Sequence, residues 1–383
     1  MTSTIHQQSR VVWLDVVRFF AMFLLICCHS ADPFNFYGGN DTSNIDQINF
    51  WGQIYGSFFR PCVPLFVMLT GALLLPVKDE TSFFYKKRIT RVLWPFLIWS
   101  FIYCITPYIF GLFGLDGNTL IQYYPSDDVF KLTLGDAAIR ILNIPFNFSS
   151  FDIHMWYIYL LIGLYLYIPI FSAWVEKASQ KAKLYFLLAW GITLFLPYYY
   201  NYVNEYLWGT CSWNAYGMLY YFAGFNGYLL LGHYIRHYIN WTLKKTLIIS
   251  IPMFIVGYLI TYFGFSYMAN LDGHTEDQLE LFFTFNSINV VIETIPIFLI
   301  AKKITIKSQK IIHLLANLTL CGFGIYMIHE LIVGPVITLM RALNIPICVQ
   351  IPCGALCTFV VCWIIIAFIH KVMSKKAARV FVG

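Results

Sequence analysis

The sequence predicts an all-α integral membrane protein of about ten transmembrane helices with both termini cytoplasmic, and three observations carry that expectation. Hydrophobic residues make up 59% of the 383 residues and charged residues 11%, whereas soluble domains carry about 25% charged residues. Apolar runs of about 20 residues, the length needed to cross a bilayer, recur along the chain. Lys and Arg gather in alternate connecting segments, as the positive-inside rule requires. So many crossings leave loops and no separate soluble domain, so residues 1–383 read as one polytopic domain.

The spans fall near 11–31, 54–77, 90–112, 153–174, 183–199, 213–231, 246–267, 283–301, 312–334 and 347–370. With cytoplasmic termini, 20 of the 25 Lys and Arg residues lie on the inner side and 13 of the 19 acids lie outside. An odd number of spans would scramble that separation. The first run carries Asp15 and Arg18, unlike the uncharged core of a cleavable signal peptide, so it is expected to stay as a helix. The segments 32–53 and 113–152 are the longest outer loops. Their Asp, Asn, Ser, Pro and aromatic residues suit either contact with carbohydrate or a solvated connector.

Several function classes drop out. The net charge of +6 is spread over short loops, which fits membrane topology and not nucleic acid. The ten cysteines show no CxxC pair and no zinc spacing, so neither a disulfide nor a metal is expected. GxGxxG, P-loop and GxSxG motifs are missing, and HELIV lacks the second His of a zincin.

Ionisable residues inside spans are expensive and mark function by default. Arg18 and His29 are eleven residues apart in the first span. That separation leaves them on one helix face, about 16 Å apart along the axis. Asp15 sits at i, i+3 from Arg18 and can pair with it. Asn286, Asn289 and Glu293 form a polar stripe that must face protein or water. Arg60, His154 with Trp156, and His329 with Glu330 reach the depth of His29 from the outer side. Any one of these residues alone is more often a packing residue; their shared depth is the signal. On the inner side, Lys86, Lys87, Arg88 and Arg91 precede the third span. Topology alone accounts for some of that charge. The alternative is a phosphate site, with the two arginines turned into the bundle and the lysines toward water.

These residues carry a resemblance. LDVVRFFAMFLLICCH, with Arg18 and His29 separated by ten residues, resembles the signature of the acyltransferase-3 family of integral-membrane acyltransferases. RPCVPLFVMLTGALLL is similar to the family's proline-led segment, with Thr70 where Ser is usual. KKRITRVLWP, HMWYIYLLIGLYLYIP and GIYMIH, which contains Tyr326, match the third, fourth and ninth helices. No esterase-like domain follows, so the chain resembles the stand-alone form, and the segment around Arg60 looks most like the polysaccharide O-acetyltransferase branch.

The resemblance implies transfer of an acyl group, acetyl or another short acyl, from cytoplasmic acetyl-CoA or a related acyl-CoA. The acceptor would be a hydroxyl of an envelope glycan or lipid-linked saccharide, and the setting a bacterial cytoplasmic (inner) membrane with its lipid. His29 is then the general base, or alternatively a transient acyl carrier, with Arg18 positioning the donor or stabilising charge. Arg88, Arg91, Lys86 and Thr70 are expected on the donor side. Arg60, His154, Trp156, Tyr326, His329, Glu330 and Glu293 are expected to support the acceptor or the chemistry. The rival class is a secondary transporter or flippase, with Glu293 as a proton-coupling carboxylate; the paired repeats common in such proteins are not apparent.

Overall fold

The computed structural model describes residues 11–35, 44–113, 133–149, 152–203 and 216–383. The central parts of both long outer loops, 36–43 and 114–132 with Lys131, lie outside the described residues, as do 150–151. Apolar side chains turn outward all round the bundle, among them Trp94, Ile170 and Phe263, as expected where the solvent is lipid and every backbone group must be satisfied within a helix. Among the described residues no strand occurs, so this is an all-α multi-pass membrane protein.

The helices in chain order are α1 (Val12–Asn35), α2 (Ile45–Phe59), α3 (Cys62–Leu74), α4 (Thr81–Leu112), α5 (Leu134–Asn143), α6 (Trp156–Lys177), α7 (Gln180–Thr193) and α8 (Leu196–Tyr202). They continue with α9 (Asn226–Tyr238), α10 (Leu243–Ala269), α11 (Glu276–Leu279), α12 (Ile288–Ala301), α13 (Gln309–Ile328), α14 (Glu330–Ala342), α15 (Ile347–Val372) and α16 (Lys375–Phe381). Seven stretches among the described residues are long and apolar enough to cross a membrane: α1, α2 with α3, α4, residues 153–177, α10, α13 and α15.

The expected spans at 183–199, 213–231 and 283–301 fall on shorter pieces. Pro197 opens a new helix after α7. Gly217 and Gly224 hold positive φ before α9, and residue 287 is extended before α12. The 54–77 run is likewise two helices, since Pro61 and Pro64 lack the N–H groups that would continue the ladder and the chain turns at Arg60. Arg60 Nε donates back to the Gly56 carbonyl of its own helix at 3.1 Å.

One end of the bundle is basic. There Lys78 pairs with Glu176 at 2.7 Å, and Lys183 donates to Tyr238 at 2.9 Å. Lys302 closes the C-terminus of α9 by donating to the carbonyls of Ile235, Arg236 and Ile239 at 2.7–2.8 Å, a favourable place for a cation. Four helices starting at this end are capped by side chains, by Glu80 for α4, Ser179 for α7, Thr242 for α10 and Ser374 for α16, whereas Ser308 before α13 makes no such bond. The Ser82 hydroxyl and the N–H groups of Ser82 and Phe83 hold the Glu80 carboxyl below its ordinary range.

The short helices are held by close contacts. α3 and α9 cross where Gly71 meets the Leu229 carbonyl and Gly232 meets the Met68 carbonyl, with no room for a Cβ at either glycine. Asn289 and Glu293 of the predicted polar stripe form a clamp between α10 and α12, while Asn286 lies on a cavity. Thr261 donates to Glu293 at 2.6 Å, Asn289 donates to Thr261 at 2.8 Å, and Tyr198 donates to Asn289 at 2.5 Å.

Gly232→Val should force α3 and α9 apart. Overpacking of this kind costs about 1–3 kcal/mol and should lower the melting temperature of the purified protein by several degrees. An unchanged melting temperature would contradict the crossing described here.

Candidate active site

Four helices begin in the middle of the bundle, and the residues at their starts line one cavity of about 440 Å³. Arg60 and Cys62 stand at the start of α3, Phe225 before α9, and Phe283 and Asn286 before α12. His154 lies in the 3₁₀ turn Ile153–Met155 that leads to Trp156 and α6. None of these four starts has a side-chain cap, in contrast to the capped helices at the basic end. Their partial positive charges favour negative charge in the cavity. His29 and Asp32 of α1, Tyr326 of α13 and Glu330 of α14 complete the wall.

His29 Nδ1 lies 3.1 Å from Asp32 Oδ2 and 3.1 Å from Glu330 Oε1. Asp32 also meets Arg60 Nη2 at 3.4 Å. Two carboxylates on Nδ1 place a proton there. Glu330 stands in the first turn of α14, where a carboxylate is favoured, and takes a second contact from His329 Nε2 at 3.4 Å. His329 Nδ1 lies 2.7 Å from the Tyr326 carbonyl. Arg60 is buried, with its guanidinium 4.0 Å from the centre of the Phe283 ring.

His154 has a different character. It is 3% exposed, and neither ring nitrogen has a hydrogen bond among the described residues. Tyr103, His329 and Tyr326 surround the ring at centroid distances of 4.9, 5.2 and 5.7 Å. The Tyr326 hydroxyl donates to the His154 carbonyl, which ties α13 to the start of α6. Trp156 stacks on Phe285 at 5.7 Å and forms an aromatic wall.

The structure thus gathers His29, Arg60, His154, Trp156, Tyr326, His329 and Glu330 in one place. Other expected site residues lie elsewhere. Arg18 pairs with Asp15 at 3.0 Å, and Thr319 donates to the same Asp15 oxygen at 3.2 Å. Ten helical residues separate Arg18 from His29, and the arginine that meets Asp32 beside the imidazole is Arg60. Thr70 spends its hydroxyl on the Phe66 carbonyl at 2.9 Å, within its own helix. Glu293 is closed inside the α10–α12 clamp, away from the cavity wall, because Thr261 and Asn289 fill its surroundings.

On the basic side, Arg88 is half-buried, whereas Arg91, Lys86 and Lys87 are exposed. The expected inward pair is therefore one arginine, although Tyr165 lies within electrostatic reach of Arg88, Arg91 and Arg18 together. Asp32 was missed, although its i, i+3 spacing from His29 in the segment HSAD is a readable signal. His29, His329 and Glu330 offer donor atoms within 4.8 Å of one another, a spacing open to a cation. Here His29 Nδ1 and Glu330 Oε1 already answer each other.

A family model described as an acyltransferase domain matches residues 11–367. No curated protein and no solved structure matches the chain.

Arg60→Met should leave the partly exposed Asp32 without its arginine partner. Breaking a fully buried pair costs about 3–5 kcal/mol, and a partly exposed one less. The melting temperature should fall clearly and recover in part when Asp32→Asn is added. An Arg60→Met protein as stable as the wild type would contradict the pairing.

Proposed function

The chain belongs to the acyltransferase-3 family of integral-membrane acyltransferases, and from that premise we propose that it moves an acetyl or other short acyl group from cytoplasmic acyl-CoA to a hydroxyl of an envelope glycan or lipid-linked saccharide. Membership makes it a membrane acyltransferase. The donor, the acceptor and the roles of residues are our reading. The observation that carries it is the His29 imidazole held at Nδ1 by two carboxylates in a cavity wide enough for a thioester and a sugar hydroxyl.

In this reading the donor enters from the basic end. Its phosphates meet Arg88 and Arg91, where Arg offers a planar fork to phosphate oxygens. The pantetheine arm then passes Tyr165 and Arg18, and Arg18 serves as a positioning residue for the donor. The thioester reaches the cavity, and the acceptor hydroxyl approaches from the opposite end.

His29 Nε2 takes the hydroxyl proton as the oxygen attacks the thioester carbonyl. The imidazolium so formed is matched by Asp32 and Glu330, in the manner of the acid partner in a hydrolase triad. Negative charge on the carbonyl oxygen is met by Arg60 and the uncapped helix starts. The C–S bond then breaks, and the proton on His29 passes to the departing thiolate. An acyl-His29 intermediate is the variant of this scheme. No metal takes part in it. A bacterial inner membrane is the setting that supplies both acyl-CoA and glycan acceptor. Transport by way of Glu293 has no support here, because that carboxyl is closed within its helix clamp.

The test uses purified protein in lipid nanodiscs with isotope-labelled acetyl-CoA, following binding and thioester turnover. His29→Ala should lower turnover by about 10²–10⁴-fold, the range for loss of a general base, while donor binding stays within twofold. Arg88→Ala should weaken donor binding instead. A His29→Ala protein with full turnover would overturn the mechanism, and folded wild type that neither binds nor consumes any short acyl-CoA would overturn the reading. Turnover should persist through exhaustive chelation; loss restored by one metal ion would contradict a metal-free base.

A further inference from the structure

The basic run after α15 is not a free tail. Ser374 caps α16 by accepting from the Ala377 N–H at 3.2 Å, and the helix docks on α4 through its apolar side. Ala378 and Val382 are buried, Trp99 Nε1 donates to the Phe381 carbonyl at 2.9 Å, and the Trp99 and Phe381 rings lie 5.3 Å apart. This docking lays the charged side of α16 against a second basic stripe. Residues 83, 86, 87, 90 and 94 share one face of α4 by helical spacing, distinct from the half-buried Arg88.

Between them runs a groove of about 480 Å³, lined by Lys86, Lys87 and Trp94 from α4 and by Lys376 and Arg379 from α16. Only Lys87 has an acid partner, Asp79 at 3.1 Å. Lys86, Lys376 and Arg379 form no ion pair among the described residues, and Arg379 acts on Arg91 as a like charge. The fold therefore concentrates cations from two separate elements and leaves them unbalanced. Like charges so placed repel one another unless an anion joins them. The groove also has an apolar rim, with Trp94 51% and Phe83 54% exposed. Aromatic side chains beside cations are the composition of a membrane–water interface.

We propose that the groove between α4 and α16 is a binding site for a phosphate ester, with Lys86, Lys376 and Arg379 as its cations and Trp94 and Phe83 as its apolar rim. Three donors of charge-assisted hydrogen bonds suit phosphate oxygens, and the rim suits an attached apolar or aromatic group. The same chemistry is offered by the headgroup of an anionic phospholipid and by the phosphates of a coenzyme A. The site is separate from the catalytic cavity; a coenzyme ligand rests on the proposed donor, whereas a lipid headgroup does not.

The test has two arms on the full-length protein. The first measures retention of phosphatidylglycerol against phosphatidylcholine by native mass spectrometry. The second measures coenzyme A affinity in phosphatidylcholine nanodiscs. Each compares wild type with Lys376→Ala/Arg379→Ala and with Lys371→Ala/Lys375→Ala, which removes equal charge outside the groove. The groove variant should lose about tenfold or more in one arm, the scale of one or two charged hydrogen bonds, and the control less than about twofold.

Loss in the lipid arm assigns a headgroup; loss in the coenzyme arm assigns the donor's phosphates. No loss in either arm, or an equal loss in the control, overturns the site. Lys86→Ala, on the long α4, makes the same discrimination if the α16 variant fails to fold.

Discussion

Two carboxylates beside an imidazole are costly to bury inside a membrane protein, and most of the architecture around His29 answers that cost. Asp32 and Glu330 hold Nδ1 at 3.1 Å each, and neither is left alone. Arg60 faces Asp32, and His329 faces Glu330. Burial strengthens each attraction, yet removal of one member strands another. The cluster thus stands or falls as a unit, and it brings α1, α2, α3, α13 and α14 to one point.

The broken helices follow from the same constraint. A continuous second span would carry Arg60 past the cavity as one residue of a regular helix. The turn at Pro61 instead lets its guanidinium reach both Gly56 and Asp32. Short helices such as α3, α9 and α12 cross about two-thirds of the hydrocarbon layer, at 13 or 14 residues each and 1.5 Å per residue. Irregular backbone at that depth is tolerable only where protein or a cavity covers it. Here it lines the cavity, and the uncapped N–H groups supply positive potential without a further buried charge. The family match over residues 11–367 covers nearly all of this framework, in keeping with a chemistry assembled from many helices rather than carried on one motif.

What the sequence made legible was what a single helix or the membrane axis can encode. The Asp15–Arg18 spacing is local, and the pair forms. Arg60, His154, His329 and Glu330 were placed at one depth because the order of spans alone sets depth, and they meet in the structure. Hydropathy is blind to kinks, so 54–77 read as one span although the residues RPCVP carried the warning. Depth also says nothing about which helix lies beside which. Spacing therefore does not reveal that Glu293 meets Thr261 of α10, or that the Thr70 hydroxyl bonds a carbonyl of its own helix. Asp32 fell just past the expected end of the first span, where the helix runs on to Asn35. Basic residues after the last span satisfied the topology rule so well that their folding into α16 had no separate signature.

The claim on which the rest hangs is that His29 and Glu330 act as one unit in acyl transfer. The most direct measurement is a double-mutant cycle on acetyl-CoA thioester turnover with His29→Gln, Glu330→Gln and the pair. If the carboxylate works only through the imidazole, the double variant turns over no more slowly than His29→Gln alone, as found for residues that function together. Losses that multiply in the double variant would show two independent contributions and contradict the account.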